Sequence, residues 1–177
     1  MADSGAAAVP DERGQDAPTR VVFVCWGNIC RSPIAERVAE HAAAEAGLTG
    51  VQFTSAATST EELGNPMDRR AAAVLREHGY RHDQHRAHQV TRSEIEGADL
   101  VIAMEDIHVE RLRRLAPNAE NVHLLSEFDP DSEPGAGLLD PWYGPDSGFD
   151  DTLSAVEAAI PGVLDRVREL QGSRARR

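Results

Sequence analysis

Residues 21–36, VVFVCWGNICRSPIAE, decide the fold. The first part is an apolar, β-branched run that ends at Cys25, which is typical of a strand buried on both faces of a sheet. Gly27 and Asn28 follow and permit tight turning of the chain. A Ser-Pro pair at 32–33 then opens an alanine- and glutamate-rich stretch with helical character. The sequence therefore predicts a strand, a short loop and a helix N-terminus in direct succession.

This strand–loop–helix unit would aim several backbone N–H groups at one point. Turned loops and helix N-termini of this kind bind anions of phosphate size. Cys25 and Arg31 stand at the two ends of the loop, so the unit carries a nucleophile and a guanidinium besides the anion site. The pattern predicts that the anion is attacked there as well as bound.

The residue types in the loop suit that chemistry. A helix N-terminus or a nearby cation lowers the pKa of a cysteine from about 8.5 to roughly 3.5–7.5, so we expect Cys25 to be a thiolate at neutral pH. Arg31 offers a planar fork of donors that matches two phosphoryl oxygens. Ser32 can donate a hydrogen bond to the sulfur, which would keep it ionised.

The remaining loop positions are candidates for substrate binding or for packing. Glycine permits close approach of the backbone, and asparagine tolerates a left-handed conformation while its amide pins the loop. The spacing of the two cysteines is not CxxC, and the absence of a second pair argues against a metal site. The predicted substrate-binding residues of the loop are Trp26, Gly27, Asn28, Ile29, Cys30 and Ser32.

The composition indicates one acidic, globular domain. The chain has 177 residues, 41% hydrophobic and 27% charged, which is enough for one domain with a substantial core. Its formal net charge is −12, and all 18 of its basic residues are arginine. So acidic a chain is poorly suited to nonspecific nucleic-acid binding. It also repels anions at long range, so a phosphate site must owe its attraction to local groups.

Location and domain limits follow from composition too. No apolar stretch is long enough to cross a bilayer, and the N-terminus lacks the basic start and apolar run of a secretory signal. The two cysteines indicate a reducing compartment, so we expect a cytoplasmic protein without membrane association. We also expect a disordered N-terminal extension over 1–19, a single domain over 20–171 and a flexible tail over 172–177.

Strand-like and helix-like segments alternate along the chain. Strands are predicted at 20–25, 51–55, 99–104 and 122–125, and helices at 33–46, 67–78, 106–115 and 151–170. This order predicts an α/β fold: a three-layer sandwich with a four-stranded parallel sheet and helices on both faces. Ligands bind at the carboxyl ends of such strands. The long loop at 127–151 emerges at the same edge as Cys25, which favours a functional role.

Four motifs together resemble the low molecular weight protein tyrosine phosphatase family, in its bacterial form. VCWGNICRSP at 24–33 resembles the active-site loop of that family, and SAAT at 55–58 stands where the family has a Ser-Ala-Gly-Thr turn. GNPMD at 64–68 resembles its next helix entry, and DPWYG at 140–144 resembles its general-acid loop. The similarity covers about residues 20–170 in the same order.

The resemblance implies a two-step hydrolysis of phosphotyrosine. Cys25 would attack phosphorus, Arg31 would hold the equatorial oxygens, and Asp140 would protonate the leaving oxygen. A tyrosyl leaving group has a pKa near 10, so general acid catalysis can contribute roughly 10²–10⁴-fold. Trp142 and Tyr143 would form the wall of a slot that stacks on the phenyl ring.

The resemblance also implies supporting residues and partners. His85 would brace the loop through Asn28 and Ser32. We expect phosphotyrosine-containing proteins as substrates, inorganic phosphate as product, no metal or other cofactor, no nucleic acid, and a monomer or weak dimer. Four histidines at 78, 82, 85 and 88 have a spacing that resembles metal ligands, but their polar surroundings favour a loop.

Some residues depart from the family, and three other functions stay open at this point. Glu61 and Glu62 stand where the family usually has an aromatic residue at the pocket entrance, Ala57 replaces a glycine, and Glu105 and His108 replace Asp and Asn. Protein arginine phosphatases share the fold but tend to carry Thr in place of Ile29 and less aromatic bulk after the Asp-Pro. Arsenate reductases need further cysteines. A non-catalytic phosphate-binding module would be expected to lack Cys25 or Asp140.

Overall fold

A four-stranded parallel sheet forms the centre of the protein. The computed structural model describes residues 13–14 and 16–177. All neighbouring strands pair in parallel in the order β2-β1-β3-β4, which confirms the predicted sheet. The strands are β1 (Thr19–Cys25), β2 (Val51–Ala57), β3 (Leu100–Ala103) and β4 (Val122–Leu124).

Strand β1 is central and buried on both faces, as its unbroken apolar sequence predicted. Phe23 and Cys25 belong to the core cluster on one face, whereas Val22 and Val24 belong to the cluster on the other. This alternation is the period of two residues of an extended strand. The last residue, Cys25, pairs with Ala57 of β2 and so lies at the carboxyl edge of the sheet, where ligands bind in this architecture.

Helices cover both faces and complete the three layers. One face packs against α1, α2 and α5, and the other packs against α3 and α4. The buried residues Ile34, Leu75 and Ile160 represent the first group, and Ile95 and Leu112 the second. The helices are α1 (Arg31–Glu45), α2 (Arg69–Glu77), α3 (Arg92–Gly97), α4 (Asp106–Leu115) and α5 (Gly148–Ala175). None of the helices in the described part of the chain is long and apolar enough to cross a bilayer.

Helix α3 was not predicted from the sequence. It has six residues and therefore no second turn in which an apolar period could be recognised. Its start is fixed by a capping box, in which Thr91 accepts from the Glu94 backbone N–H and the Glu94 side chain accepts from the Thr91 N–H.

The segment 172–177, expected to be a flexible tail, overlaps the end of α5, which continues to Ala175. Arg174, in the last turn, donates to the Asp99 carboxylate and to the Ala17 carbonyl. Arg13 also reaches Asp99, at 2.8 Å. These contacts hold the helix end against the start of the chain, and the glycine at 172 does not end the helix because its neighbours are anchored.

The N-terminal extension predicted over 1–19 lies mostly outside the described residues, which exclude 1–12 and 15. Within the described part, Thr19 is already the first residue of β1 and is buried. Disorder up to residue 19 is therefore wrong at its C-terminal end. A single domain over 20–171 stays a prediction.

Candidate active site

The loop between β1 and α1 forms a tight cradle. Asn28 has a φ of 59°, in the left-handed region that asparagine tolerates better than most residues. Cys30 is the N-cap of α1, and the Ile34 N–H donates to its carbonyl at 3.2 Å. The loop therefore turns through a left-handed residue and presents the first turn of α1 towards the end of β1.

Cys25 is buried and bonded to a hydroxyl. Its Sγ lies 3.0 Å from Ser32 Oγ, and the Asn28 Nδ2 donates to the same hydroxyl oxygen at 2.9 Å. Because Asn28 supplies a hydrogen to the Ser32 oxygen, the hydroxyl hydrogen of Ser32 is free to point at the sulfur. The geometry therefore places a hydroxyl donor within reach of the Cys25 sulfur.

A buried network under the loop fixes Asn28. Its Nδ2 also donates to Ser55 Oγ at 2.9 Å, and its Oδ1 accepts from the His88 backbone N–H at 3.2 Å. Ser55 donates in turn to the Glu36 carboxylate. Burial raises the pKa of Glu36. Every polar atom of the Asn28 side chain is therefore bonded, which holds the left-handed turn.

His85 braces the loop through the backbone. Its Nε2 lies 2.6 Å from the Asn28 carbonyl, so this nitrogen carries the hydrogen and donates. Burial lowers the pKa of His85 and favours the neutral ring. His85 reaches Ser32 indirectly, because the Asn28 amide donates to the Ser32 hydroxyl.

Arg31 is 1% exposed and is held by groups from two other segments. Its Nη1 donates to Glu105 Oε2 at 2.6 Å and to the Leu138 carbonyl at 2.8 Å, and its Nη2 lies 3.4 Å from Asp140 Oδ2. Its Nε has no hydrogen-bond partner among the described residues. A buried guanidinium with an unused donor beside Cys25 is a site for an anion.

Glu105 is positioned by its own helix start. The Glu105 backbone N–H donates to His108 Nδ1 at 3.1 Å, which fixes the tautomer with hydrogen on Nε2. Burial, and then the positive charge of Arg31, lowers the pKa of His108 to about 4. His108 is therefore a neutral acceptor at physiological pH. The carboxylate of Glu105 accepts its hydrogen bond from Arg31.

Asp140 lies at the mouth of the same cavity. It is the N-cap of the short 3₁₀ helix Pro141–Tyr143, and its Oδ1 accepts from the Trp142 N–H at 3.1 Å. The proline fixes the first position of this turn. The Asp140 side chain is 31% exposed, so one carboxylate oxygen can exchange protons with a substrate or with water.

These residues enclose a cavity of about 160 Å³. The structure brings together there nine of the predicted site residues, and it places Asn28, Ser32 and His85 beneath the loop. Trp142 and Tyr143 stand at the mouth, 43% and 89% exposed. The lining residues are Cys25, Trp26, Gly27, Ile29, Cys30, Arg31, Glu61, Glu62, Asp140, Trp142 and Tyr143.

The wall opposite the aromatic pair is acidic. Glu61 accepts from the Trp26 indole N–H at 3.0 Å, and Glu62 accepts from Asn65 at 2.6 Å. The Glu62 side chain folds over Gly27, where an added Cβ would lie 3.2 Å from Glu62 Cγ. A larger residue at position 27 would therefore have to displace the Glu62 side chain by a few tenths of an ångström.

Cys30 is buried and differs from Cys25 in its surroundings. Burial raises the pKa of the Cys30 thiol well above its usual range, and the negative charges of Asp68 and Cys25 raise it further. Cys30 is therefore a thiol. Across residues 13–14 and 16–177, no group of three or more His, Cys, Asp or Glu side chains is placed to hold a metal ion, and this includes the four histidines at 78–88.

Sequence reasoning missed several residues that support this site. Glu36 and the Leu138 carbonyl make contacts that depend on tertiary packing and have no local signal. Glu105 stood out only as a departure from the family, although its position two residues after the end of β3 places it at the ligand edge of the sheet. Arg111 of α4, described below, gave no signal in the sequence.

Comparisons with known proteins agree on one family. The family model described as low molecular weight phosphotyrosine protein phosphatase matches residues 20–173. The low molecular weight protein-tyrosine-phosphatase of Streptomyces coelicolor is 45% identical over 161 residues, 88% of this chain and 98% of that protein. Low molecular weight protein-tyrosine phosphatase A of Mycobacterium tuberculosis is 44% identical over 154 residues, which are 86% of this chain and 93% of that protein.

Structural similarity extends the match beyond close relatives. The crystal structure of a protein tyrosine phosphatase from Entamoeba histolytica, with Hepes in its active site, superposes with a TM-score of 0.80 at 27% identity. The match covers 85% of this chain and 97% of that one. The layered fold of the two chains is therefore shared over nearly their whole length.

Proposed function

The chain belongs to the low molecular weight phosphotyrosine protein phosphatase family, and we propose that it hydrolyses phosphotyrosine through a phosphorylated Cys25, with Arg31 and Asp140 as its other catalytic residues. Members of this family are metal-independent phosphatases that release inorganic phosphate from phosphoproteins. The observation that carries the proposal is the shared cavity of Cys25, Arg31 and Asp140.

The first step is attack on phosphorus. The Cys25 sulfur forms a bond to phosphorus while the bond from phosphorus to the tyrosyl oxygen breaks, and Asp140 delivers its proton to that oxygen. The unpartnered Nε of Arg31 and the backbone N–H groups of the loop donate hydrogen bonds to the equatorial oxygens of the phosphoryl group. Ser32, 3.0 Å from Cys25 Sγ, stabilises the thiolate before attack and again as the leaving group.

The second step hydrolyses the cysteinyl phosphate and regenerates the free enzyme. Water attacks the phosphorus of the cysteinyl phosphate, Asp140 takes a proton from that water, and the sulfur–phosphorus bond breaks to release phosphate and the Cys25 thiolate. The 31% exposure of Asp140 supports both roles, because water and leaving group reach the same carboxyl.

The aromatic lining supports an aryl substrate. Trp26, Trp142 and Tyr143 all line the cavity and offer flat surfaces to a phenyl ring. A phosphoarginine has no ring, so this lining gives the arginine phosphatase alternative no advantage. The chain contains two cysteines, both in the loop, and therefore lacks the additional thiols that an arsenate reductase uses to pass a disulfide outward.

We further propose phosphotyrosine-containing proteins as the specific partners and a cytoplasmic location. The location is supported by a mechanism that needs a reduced thiol at Cys25, since oxidising compartments convert such thiols. A monomer or weak dimer stays a prediction.

The test is a substrate panel with matched variants. Purified protein is assayed on p-nitrophenyl phosphate, a phosphotyrosyl peptide and a phosphoarginine, beside Cys25→Ser and Cys30→Ser. We expect turnover of the two aryl phosphates, loss of turnover in Cys25→Ser, and a turnover in Cys30→Ser well above that of Cys25→Ser because the nucleophile is kept. Unchanged turnover in Cys25→Ser would refute the mechanism, and a preference for phosphoarginine would refute the substrate.

A further inference from the structure

We propose that Arg111 of α4 is a positioning residue for substrate binding, because it holds the Trp26 indole as a wall of the slot that receives the substrate's aromatic ring. The inference rests on the proposed function. The cavity lining includes Trp26 but not Arg111, so Arg111 acts through the indole.

The guanidinium of Arg111 lies over the indole and is itself anchored. Its Cζ is 4.3 Å from the centroid of the Trp26 ring, well inside the range of a cation–π contact. Its Nη1 donates to the Thr58 carbonyl at 3.3 Å. Thr58 follows β2 and is tied to β1 by its own N–H, which donates to the Cys25 carbonyl at 2.9 Å. The cation is therefore fixed to the same framework as the nucleophile.

Trp26 is held at two further points. Its indole N–H donates to Glu61 Oε2 at 3.0 Å. Its carbonyl accepts from the Ser59 N–H at 3.0 Å and from the Ser59 hydroxyl at 2.9 Å. Donation to a carboxylate makes the indole richer in electrons, which strengthens its attraction to the cation on its face. Backbone, ring edge and ring face of Trp26 are thus all fixed.

A side chain fixed in this way binds better than a free one. Trp26 is only half-buried and stands at a cavity mouth, where an unclamped indole would exchange between rotamers and would have to be ordered by each incoming ligand. The contacts of Trp26 with Arg111, Glu61 and Ser59 act as a clamp on the side chain. The clamp removes the cost of ordering the indole only for ligands that touch it. It therefore sets the affinity for the aromatic part of the substrate and leaves the affinity for the phosphate part unchanged.

Direct binding measurements separate the two parts of a ligand. Calorimetric titration with inorganic phosphate probes the cradle alone, and titration with benzylphosphonate probes the cradle and the slot together. The variants are Arg111→Ala, Arg111→Lys and the control Arg114→Ala, which removes the same charge from an exposed position of the same helix.

We expect Arg111→Ala to weaken benzylphosphonate about two- to five-fold, the range of an exposed cation–π contact. Its dissociation constant for phosphate should stay that of the wild type. Arg111→Lys should recover part of the loss because it retains a cation. Arg114→Ala should bind both ligands as the wild type does.

Tryptophan fluorescence gives an independent readout. The chain has two tryptophans, so Trp142→Phe leaves Trp26 as the sole indole. In that background, Arg111→Ala should shift the Trp26 emission and increase its quenching by acrylamide, whereas Arg114→Ala should do neither.

Two results would overturn the inference: an unchanged affinity of Arg111→Ala for benzylphosphonate, or an equal loss for benzylphosphonate and phosphate. The first would mean that the clamp does not affect the slot, and the second that Arg111 acts on the cradle. Binding is measured without turnover, so failure of the proposed function would show separately, as a wild-type protein that binds benzylphosphonate but does not hydrolyse p-nitrophenyl phosphate.

Discussion

Arg31 and Glu105 form an ion pair of 2.6 Å in which the arginine is almost fully buried. The pair joins the start of α1 to the second residue after β3, the neighbour of β1 in the sheet. Hydrogen bonds to the Nη groups of a buried guanidinium fix its orientation. The carboxylate of Glu105 and the Leu138 carbonyl take one side of the guanidinium and leave Nε for a phosphoryl oxygen.

Loss of the Glu105 carboxylate should therefore impair phosphate binding. We expect Glu105→Ala to lower kcat/KM for p-nitrophenyl phosphate by about 10- to 100-fold, the worth of one charged hydrogen bond. Glu105→Gln, which retains an acceptor, should lose less. Glu110→Ala, an exposed acid on the same helix, is the control. A gain in kcat/KM for Glu105→Ala would instead mean that Glu105 competes with the substrate for Arg31.

The role of Asp140 can be read from the leaving group. Asp140→Asn keeps an oxygen for the Trp142 N–H but has no proton to give. We expect kcat/KM for phenyl phosphate, which reports the first step alone, to fall by roughly 10²–10⁴-fold, and to fall less for p-nitrophenyl phosphate, whose leaving group needs less protonation. Asp131→Asn in the same loop should behave as the wild type. An equal loss on both substrates would contradict general acid catalysis by Asp140.

The turn at Asn28 should be visible in stability as well as in activity. Alanine at a φ of 59° is strained and cannot replace the amide contacts to Ser32 and Ser55. We expect Asn28→Ala to lower the free energy of unfolding by about 2–3 kcal/mol. Glycine relieves the strain and loses only the contacts. The free energy of unfolding of Asn28→Gly should therefore fall by about 1 kcal/mol less than that of Asn28→Ala. Equal urea midpoints for the two variants would show that the backbone conformation contributes nothing.

Mild oxidation should join Cys25 to Cys30. A sulfenic acid on Cys25 condenses with a nearby thiol and releases water, and Cys25 and Cys30 line the same small cavity. We expect peroxide to inactivate the protein reversibly, with a disulfide detected by mass analysis and activity restored by dithiothreitol. Cys30→Ser should be inactivated irreversibly. Irreversible loss in the wild type, without a disulfide, would contradict this protection.

The sheet was predictable because its signals are local. The apolar run into Cys25 and the Gly-Asn turn specify strand and loop within a few residues, and the alternation of segments specifies parallel pairing. Helix α3 and the end of α5 were missed for a physical reason. A six-residue helix depends on its cap, and the last turn of α5 depends on the contact of Arg174 with the distant Asp99.

The residues of the site likewise fall into a group that local sequence motifs reveal and a group that they do not. Residues that touch the anion lie in contiguous motifs around Cys25 and Asp140 and could be found from the sequence. Residues that hold those groups come from elsewhere in the chain, such as Glu105 on Arg31 and Arg111 on Trp26. Their partners are chosen by tertiary packing, which has no period or spacing in the sequence.

His108 is the last of these supporting residues, and it should make the protein sensitive to acid. Its ring is 1% exposed, its Nε2 lies 3.9 Å from Glu105, and Arg31, Arg111 and Asp140 are the charged groups around it. Burial lowers its pKa to about 4 in the folded protein, from an ordinary 6.5. Between these two values the unfolded chain binds the proton and the folded chain does not.

Stability should therefore fall as the pH falls from about 6.5 to about 4, by up to about 3 kcal/mol from this residue. His108→Asn retains an oxygen that can accept from the Glu105 N–H but does not titrate. We expect the difference in unfolding free energy between wild type and His108→Asn, measured by urea titration across pH 4–7, to slope through this window. His78→Asn, at an exposed position, is the control and should reproduce the wild-type curve. A pH-independent difference would show that His108 supplies only packing, because the other titrating groups, Glu36 and His85 among them, are common to both proteins.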